Sequence, residues 1–347
     1  MTDSKKLRTH MSEKKVILTG IKPTGVPHIG NYFGAIEPAI ELLNKQEASH
    51  FYFIADYHAL NIIRDPKVLS DYTYEVAATW LACGLDPSKA MFYRQSAVPQ
   101  VFELTTTLMA FTAKGLMNRA HAYKAKVADN LENQKDPDSA VNMGVYTYPI
   151  LMAADILIFD TNIVPVGKDQ IQHVEMAADI AQSFNHNYQC DGLVVPEYRV
   201  GEKTKTVTGL DGRKMSKSYD NTIPLFLPAK KLRKIVMKIV TNSQEVEEVK
   251  DPETCNVFAL YKLFATQEQQ DALAERYRAG GLGWGHAKQE LFEVMDAKLS
   301  PMREIYDNLM ANKDVIDKAL LDGEQKARDI ASAKLSQIRK ITGIDRA

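Results

Sequence analysis

Two short stretches of this chain carry side chains suited to holding an anion. The first is His28-Ile29-Gly30-Asn31, and the second, some 185 residues later, is Lys214-Met215-Ser216-Lys217-Ser218. Gly30 lets a ligand approach the backbone where a Cβ would collide. The N–H groups at the start of a helix favour a phosphate, and paired lysines add positive charge. Neither stretch has the Gly-x-Gly-x-x-Gly or Gly-Lys-Ser/Thr spacing of the common phosphate loops. A third candidate is Asp155, a carboxylate inside the apolar run from Tyr148 to Leu157. A buried carboxylate is costly unless something hydrogen-bonds to it. Two readings stay open: a pair with a nearby Arg, Lys or backbone group, or an acceptor aimed into an apolar pocket. His58 is open in the same way, as a ligand or as a structural histidine. Asp169 and His173 stand one helical turn apart, which suits a metal pair, but no third ligand is visible. Cys83, Cys190 and Cys255 are too scattered for a zinc or disulfide framework. We therefore expect no structural metal and a reduced, cytoplasmic protein.

The elements that must position these groups can be read from the pattern. Val16-Ile17-Leu18 is a short apolar run of the kind a buried parallel strand uses. Gly20, Pro23, Gly25 and Pro27 then forbid regular structure, and a helical pattern starts at Asn31. This strand, loop and helix form the first half of a βαβ unit. Phe51 to Asp56 reads as a second strand, with His58 just beyond its C-terminal end, where open α/β sheets bind ligands. A helix is expected over Lys67 to Cys83, a third strand over Ala90 to Arg94, and a broken helical stretch from Val101 to Lys126. Asn130 to Ser139 is expected to be a mobile polar loop. The strand Ile163 to Val166 runs into Gly167-Lys168-Asp169-Gln170, which opens a helix to about Phe184. Helical patterns fill 223–347, with breaks expected at Gly280 to Gly285 and at Ser300-Pro301. The expected fold is α/β: a Rossmann-like doubly wound parallel sheet over 14–222, with a helical insertion near 101–145, followed by an α-helical C-terminal domain over 223–347. Residues 1–13 are expected to be a flexible extension.

With 347 residues and a net charge of −1, the chain can bury a large core and lacks the overall basic balance of a dedicated nucleic-acid binder. The balance is uneven. From Arg199 to Lys238 there are 11 basic residues and 3 acidic ones, 11 − 3 = +8, and the second anion-binding stretch lies inside that run. No apolar run approaches the roughly 20 residues of a membrane span, and the N-terminus lacks a secretory apolar core.

The two stretches, in that order and with the first on a βα turn, resemble the signature motifs of class I aminoacyl-tRNA synthetases. Three further segments resemble the bacterial tryptophanyl-tRNA synthetase family: Gly20 to Tyr32, Tyr148 to Ile156 and Val164 to Gln170. The resemblance covers roughly residues 15 to 345. It implies ATP, carried with Mg²⁺, at Lys22, Thr24, His28, Gly30, Asn31, Gly167 and Asp169. It implies pyrophosphate at Lys214 and Lys217, with Met215, Ser216 and Ser218 shaping the loop and Lys126 a further phosphate contact. It implies L-tryptophan held by Asp155 at the indole N–H and by Tyr148 and Gln170 at the α-amino group. Met152, Val164 and Val166 would wall the ring, and His58 would sit at the rim. tRNA(Trp) is the implied second substrate, the C-terminal helices the implied anticodon reader, and a homodimer the implied assembly. Lys22 stands where many relatives carry Gln, Lys168 where many carry Glu, and Ser218-Tyr219-Asp220-Asn221 replaces the commoner Ser-Asp-Pro-Asn. The alternatives are a tyrosyl-tRNA synthetase, which shares the fold but needs polar partners for a phenol, and a catalytically silent tRNA-binding paralogue.

Overall fold

The computed structural model describes residues 14–45, 47–200 and 207–345. The expected extension 1–13 lies outside them, as do Glu202, Lys203 and Lys205 of the basic run.

The first strand, β1 (Lys15–Ile21), leads through the proline- and glycine-punctuated loop into a helix that starts at Ile29, two residues before the expected Asn31. The turn Ile29–Asn31 passes into a π-helical stretch, Tyr32–Ile36, and then α1 (Glu37–Asn44). Next come β2 (Ala48–Ile54), α2 (Pro66–Ala82) and β3 (Ala90–Arg94). Asp65 caps α2 by accepting from Lys67 N–H and Val68 N–H. The stretch expected over 101–145 contains α3 (Gln100–Met109), a short turn Lys114–Met117, and α4 (His121–Glu132). After α5 (Met143–Leu157) follow β4 (Ile163–Pro165), α6 (Ile171–Tyr188) and β5 (Glu197–Arg199).

All pairings in the sheet are parallel, and the order is β3-β2-β1-β4-β5. Both faces are covered, as parallel sheets require, and successive side chains serve opposite faces. Tyr52, Ile54 and Phe92 join one apolar core, while Phe51, Phe53 and Tyr93 join the other. The chain runs outward from β1 to β3 and then returns to place β4 on the other side of β1. The loops after β1 and β4 therefore diverge, leaving a crevice at their C-terminal ends, where such sheets bind ligands.

The C-terminal helices are α7 (Ala229–Val236), α8 (Asn256–Phe264), α9 (Gln267–Ala279), α10 (Trp284–Ala311) and α11 (Lys313–Thr342). They rest on the first unit through Phe33 against Phe264, with ring centroids 5.0 Å apart, and through Lys298 Nζ donating to Glu37 at 2.7 Å.

Four expectations need correction. First, α11 does not stay with the C-terminal unit begun at 223. It packs along β3, where a Cβ on Gly323 would lie 2.1 Å from Phe92 O, so only glycine permits the approach. Arg94 donates to the buried Glu324 at 2.6 Å, Arg339 to Glu103 at 2.6 Å, and Lys334 to Gly192 O at 2.7 Å. Ala327, Ala331, Leu335 and Ile338 belong to the core beneath the sheet. Second, Pro301 does not interrupt α10, because buried Leu299 and Arg303 hold the helix on either side of it. Third, helix does not fill the region from 223 onward: 223–228 is non-helical, with a turn at Leu225-Phe226, and docks on the first loop, and 240–255 is irregular. Fourth, the polar stretch 130–139 is pinned rather than loose. Helix α4 runs on to Glu132, and buried Asn130 donates to Pro137 O at 2.8 Å and to Ser139 O at 2.7 Å.

Candidate active site

A cavity of about 280 Å³ opens in the crevice at the C-terminal ends of β1, β2 and β4. All seven residues expected at the amino-acid pocket line it: Asp155, Tyr148, Met152, Gln170, His58, Val164 and Val166. Lys22 and Gly167, expected on the nucleotide side, line it too. The strands explain the assembly. Phe53 and Ala55 end β2, Val164 to Val166 end β4, and the face of α5 that bears Tyr148, Met152 and Asp155 closes the third side. The residues sit four and three apart, so one helical face carries them all.

Asp155 is 2% exposed and has partners that the sequence did not reveal. Gln95 Nε2 donates to both of its oxygens, at 2.9 and 2.8 Å, and His58 Nε2 donates to Oδ2 at 3.0 Å. The carboxylate faces the cavity, and its partners are a glutamine and a histidine rather than the Arg, Lys or backbone group of the other reading. Burial raises its pKa, and the bonds from His58 and Gln95 oppose that shift. Among the described residues Oδ1 accepts only from Gln95, so a lone pair remains for a further donor. Gln95 was missed. It follows the last residue of β3, and that position at a strand's C-terminal end was the signal available.

A second network runs along the wall toward the nucleotide side. Tyr148 is hydrogen-bonded to His173 Nε2, His173 Nδ1 meets Gln170 Oε1 at 3.0 Å, and Gln170 Nε2 donates to Asp169 Oδ2 at 3.0 Å. Both ring nitrogens of His173 are thus engaged, which removes it from a metal pair with Asp169. Among the described residues no group of three or more His, Cys, Asp or Glu is placed to hold a metal ion. Burial, and then the charge of Lys22, lowers the His173 pKa to about 4, so the ring is neutral at pH 7. The Gln170 hydrogen bond holds the Asp169 carboxyl below its usual range, with Lys214 and His173 adding to the effect and burial opposing it.

The two signature stretches meet in space. Backbone bonds clamp 223–225 onto the first loop: Ile29 N–H donates to Ile223 O at 3.0 Å, and Leu225 N–H to Pro27 O at 3.0 Å. Lys217 Nζ reaches Thr24 O at 3.3 Å, and Gly30 N–H donates to Met215 Sδ at 3.3 Å. At Gly25, φ is +126°, and a Cβ would lie 2.8 Å from Lys217 Nζ. Asn31 Oδ1 accepts from His28 N–H at 3.0 Å and fixes the turn. Burial, and then the charge of Lys217, lowers the His28 pKa to about 4. Within the second loop, Asn221 acts as a pin. It accepts from Ser216 N–H at 2.8 Å and donates to Asp211 at 2.7 Å and to Lys214 O at 3.1 Å. Ser216 Oγ accepts from Ser218 N–H at 3.3 Å. Lys126 lies on α4, outside the cavity lining as Lys214 and Lys217 are, and pairs with Asp129 at 3.1 Å.

A parallel sheet with a switch-point cavity, a glycine-containing βα turn and a lysine loop docked on it is the arrangement of the class I synthetases. The family model described as "tRNA synthetases class I (W and Y)" matches residues 11–300, and the chain belongs to that family. Its relatives place it in the bacterial tryptophan branch. It is 52% identical over 330 residues to the tryptophan–tRNA ligase of Pseudomonas putida, covering 94% of this chain and 73% of that protein. It is 50% identical over 332 residues to the tryptophan–tRNA ligase of Neisseria meningitidis, covering 95% and 98%. The crystal structure of Campylobacter jejuni tryptophanyl-tRNA synthetase complexed with ADP and tryptophan superposes with a TM-score of 0.88 at 44% identity, covering 94% of this chain and 99% of that one. A tyrosyl-tRNA synthetase from Archaeoglobus fulgidus shares only the fold, with a TM-score of 0.60 at 18% identity.

Proposed function

We propose that this chain is a tryptophan–tRNA ligase that activates L-tryptophan with ATP and transfers it to the 3′ end of tRNA(Trp). The observation that carries the reading is the buried Asp155 carboxylate, facing an apolar cavity that opens toward the two docked signature loops. An indole offers one N–H donor on an otherwise apolar ring, and this cavity offers an acceptor in an apolar wall. Phenylalanine would leave the remaining Asp155 lone pair without a donor, and sites built on such polar contacts discriminate by about 10⁴ to 10⁵ without editing.

In the first step the tryptophan carboxylate oxygen bonds to the α-phosphorus of ATP, and the bond from that phosphorus to the β-phosphate oxygen breaks. Tryptophanyl-adenylate forms and pyrophosphate leaves. The nucleophile is already an anion, so no protein base is needed, and catalysis rests on positioning and charge stabilisation. Lys214 and Lys217 would hold the phosphate charge, and Mg²⁺ carried with the nucleotide would supply further charge neutralisation there. His28, Gly30 and Asn31 form the phosphate and adenosine cradle, with Lys22, Thr24, Gly167 and Asp169 beside it. In the second step a hydroxyl of the terminal ribose attacks the carbonyl carbon of the adenylate. An ester forms, AMP leaves with the bonding electrons, and the hydroxyl proton passes to the departing phosphate or to water.

Helices α8 to α10 are the proposed anticodon-reading unit, and a two-fold homodimer is the proposed assembly. Among the described residues no helix is long and apolar enough to cross a membrane, which fits the cytoplasmic setting of this reaction. The reading is tested by ATP–pyrophosphate exchange with each of the twenty amino acids. Exchange with tryptophan alone supports it. Exchange with tyrosine alone, or with none from folded protein, overturns it. Light scattering that finds a monomer at working concentration overturns the dimer.

A further inference from the structure

The cavity wall holds a buried histidine to which the reaction above gives no role. His173 is 4% exposed and lies between Tyr148 and Gln170, the two residues proposed to hold the α-ammonium group. The polarity of this chain of contacts can be followed from its charged end. The ionised Asp169 carboxylate only accepts, so the Gln170 amide turns its Nε2 toward it at 3.0 Å. Gln170 Oε1 then faces His173 Nδ1 at 3.0 Å, so Nδ1 carries the proton. A neutral imidazole has one N–H, which leaves Nε2 as an acceptor. Tyr148 is a phenol whose pKa burial raises, and its O–H donates to that nitrogen. Its only proton is thereby committed away from the cavity.

We infer that His173 is a positioning residue that makes the amino end of the cavity acceptor-only, by drawing the Tyr148 proton to Nε2 and holding Gln170 Oε1 at Nδ1. Tyr148 then presents oxygen lone pairs alone to the bound molecule. An ammonium group, which only donates, fits this corner. An α-hydroxyl in its place satisfies at most one acceptor there. The device selects α-amino acids over their α-hydroxy counterparts, a discrimination that neither Asp155 nor the apolar wall can make, because both contact the ring. Since Asp169 sets the polarity and lies on the nucleotide side, orientation is relayed along the wall from one half of the site to the other. The inference rests on the proposed tryptophan activation.

The test uses tryptophan-dependent ATP–pyrophosphate exchange with His173→Phe, His173→Gln, Tyr148→Phe and the double variant His173→Phe/Tyr148→Phe. Indole-3-lactate serves as a competitive inhibitor. In His173→Phe, KM for tryptophan is expected to rise about tenfold or more, the scale of one lost hydrogen bond to a charged group, while KM for ATP moves less than twofold. The preference for tryptophan over indole-3-lactate should fall by a similar factor. His173→Gln keeps an acceptor near the place of Nε2 and should recover most of the loss. The double variant should be no worse than the weaker single one, since residues acting through one contact are not additive. Unchanged KM for tryptophan, additive losses, or a fall in kcat alone would overturn the role of His173 while leaving the activity in place. Wild-type protein that shows no exchange with tryptophan would instead sink the activity on which the inference rests.

Discussion

Replacing Asp155 by Asn separates the chemistry of this residue from its cost to the fold. The carboxylate accepts from Gln95 Nε2 at 2.9 and 2.8 Å and from His58 Nε2 at 3.0 Å, and it keeps an Oδ1 lone pair for the indole N–H. Asn offers one oxygen and adds two donors. In the best arrangement Gln95, whose Oε1 is buried and unpartnered among the described residues, turns its amide over and accepts from the new NH₂. The indole then keeps a neutral acceptor in place of a charged one. A hydrogen bond to a charged group contributes about 1.5–3 kcal/mol and a neutral one about 1 kcal/mol. The loss in this arrangement is therefore about 0.5–2 kcal/mol, roughly two- to thirtyfold in kcat/KM. In the worst arrangement the indole N–H faces a donor, and the loss reaches about 3 kcal/mol, roughly 150-fold. KM for ATP should stay within twofold, and selectivity against phenylalanine should fall by the same factor as tryptophan activation. Stability should move the other way. Burial raises the folded pKa of Asp155, so the native state loses stability as pH rises from the unfolded carboxylate value through the folded one. Asn removes that ionisation, and the Tm at pH 7 should be unchanged or higher, the usual trade between a functional site and the fold. The assays are ATP–pyrophosphate exchange and thermal unfolding of the same samples. An unchanged tryptophan kcat/KM, or a loss matched by a falling Tm, would refute the assignment.

Three further outcomes follow from the same geometry. Lys217→Ala should slow single-turnover adenylate formation by about 10²–10³-fold, the scale of one lost charge-stabilising donor; an unchanged rate would take its ammonium out of the transition state. Gly323→Ala should destabilise the protein by about 1–3 kcal/mol in urea unfolding, because the new Cβ would meet Phe92 O at 2.1 Å; a neutral result would mean that α11 is not seated on β3 in solution. His28 and His173, each lowered to about 4 by burial, stay neutral in the fold while the unfolded chain takes up protons near pH 6.5. Stability should therefore be full above about pH 6.5 and fall toward pH 4 with a slope of up to two protons. A flat stability between pH 6.5 and 5 would contradict both assignments.

Much of the site could be read from sequence because its parts are local. The first loop is held by its own Asn31, the second by Asn221, and one face of α5 carries Tyr148, Met152 and Asp155 through helical spacing alone. The strands were visible as apolar runs because a sheet buried on both faces needs them, and β3 matched its expected bounds of Ala90 and Arg94. The sequence alone therefore determined the fold class and the elements that carry the two signature stretches and the Tyr148, Met152 and Asp155 face. What it left undecided were contacts between residues far apart in the chain, which no local pattern encodes. The pairing of Asp155 with Gln95 and His58, the relay from Asp169 to Tyr148 through His173, and the docking of Lys217 on Thr24 all depend on which strand ends meet at the switch point. The return of α11 to β3 depends on Gly323, one missing side chain that only the neighbouring backbone makes meaningful.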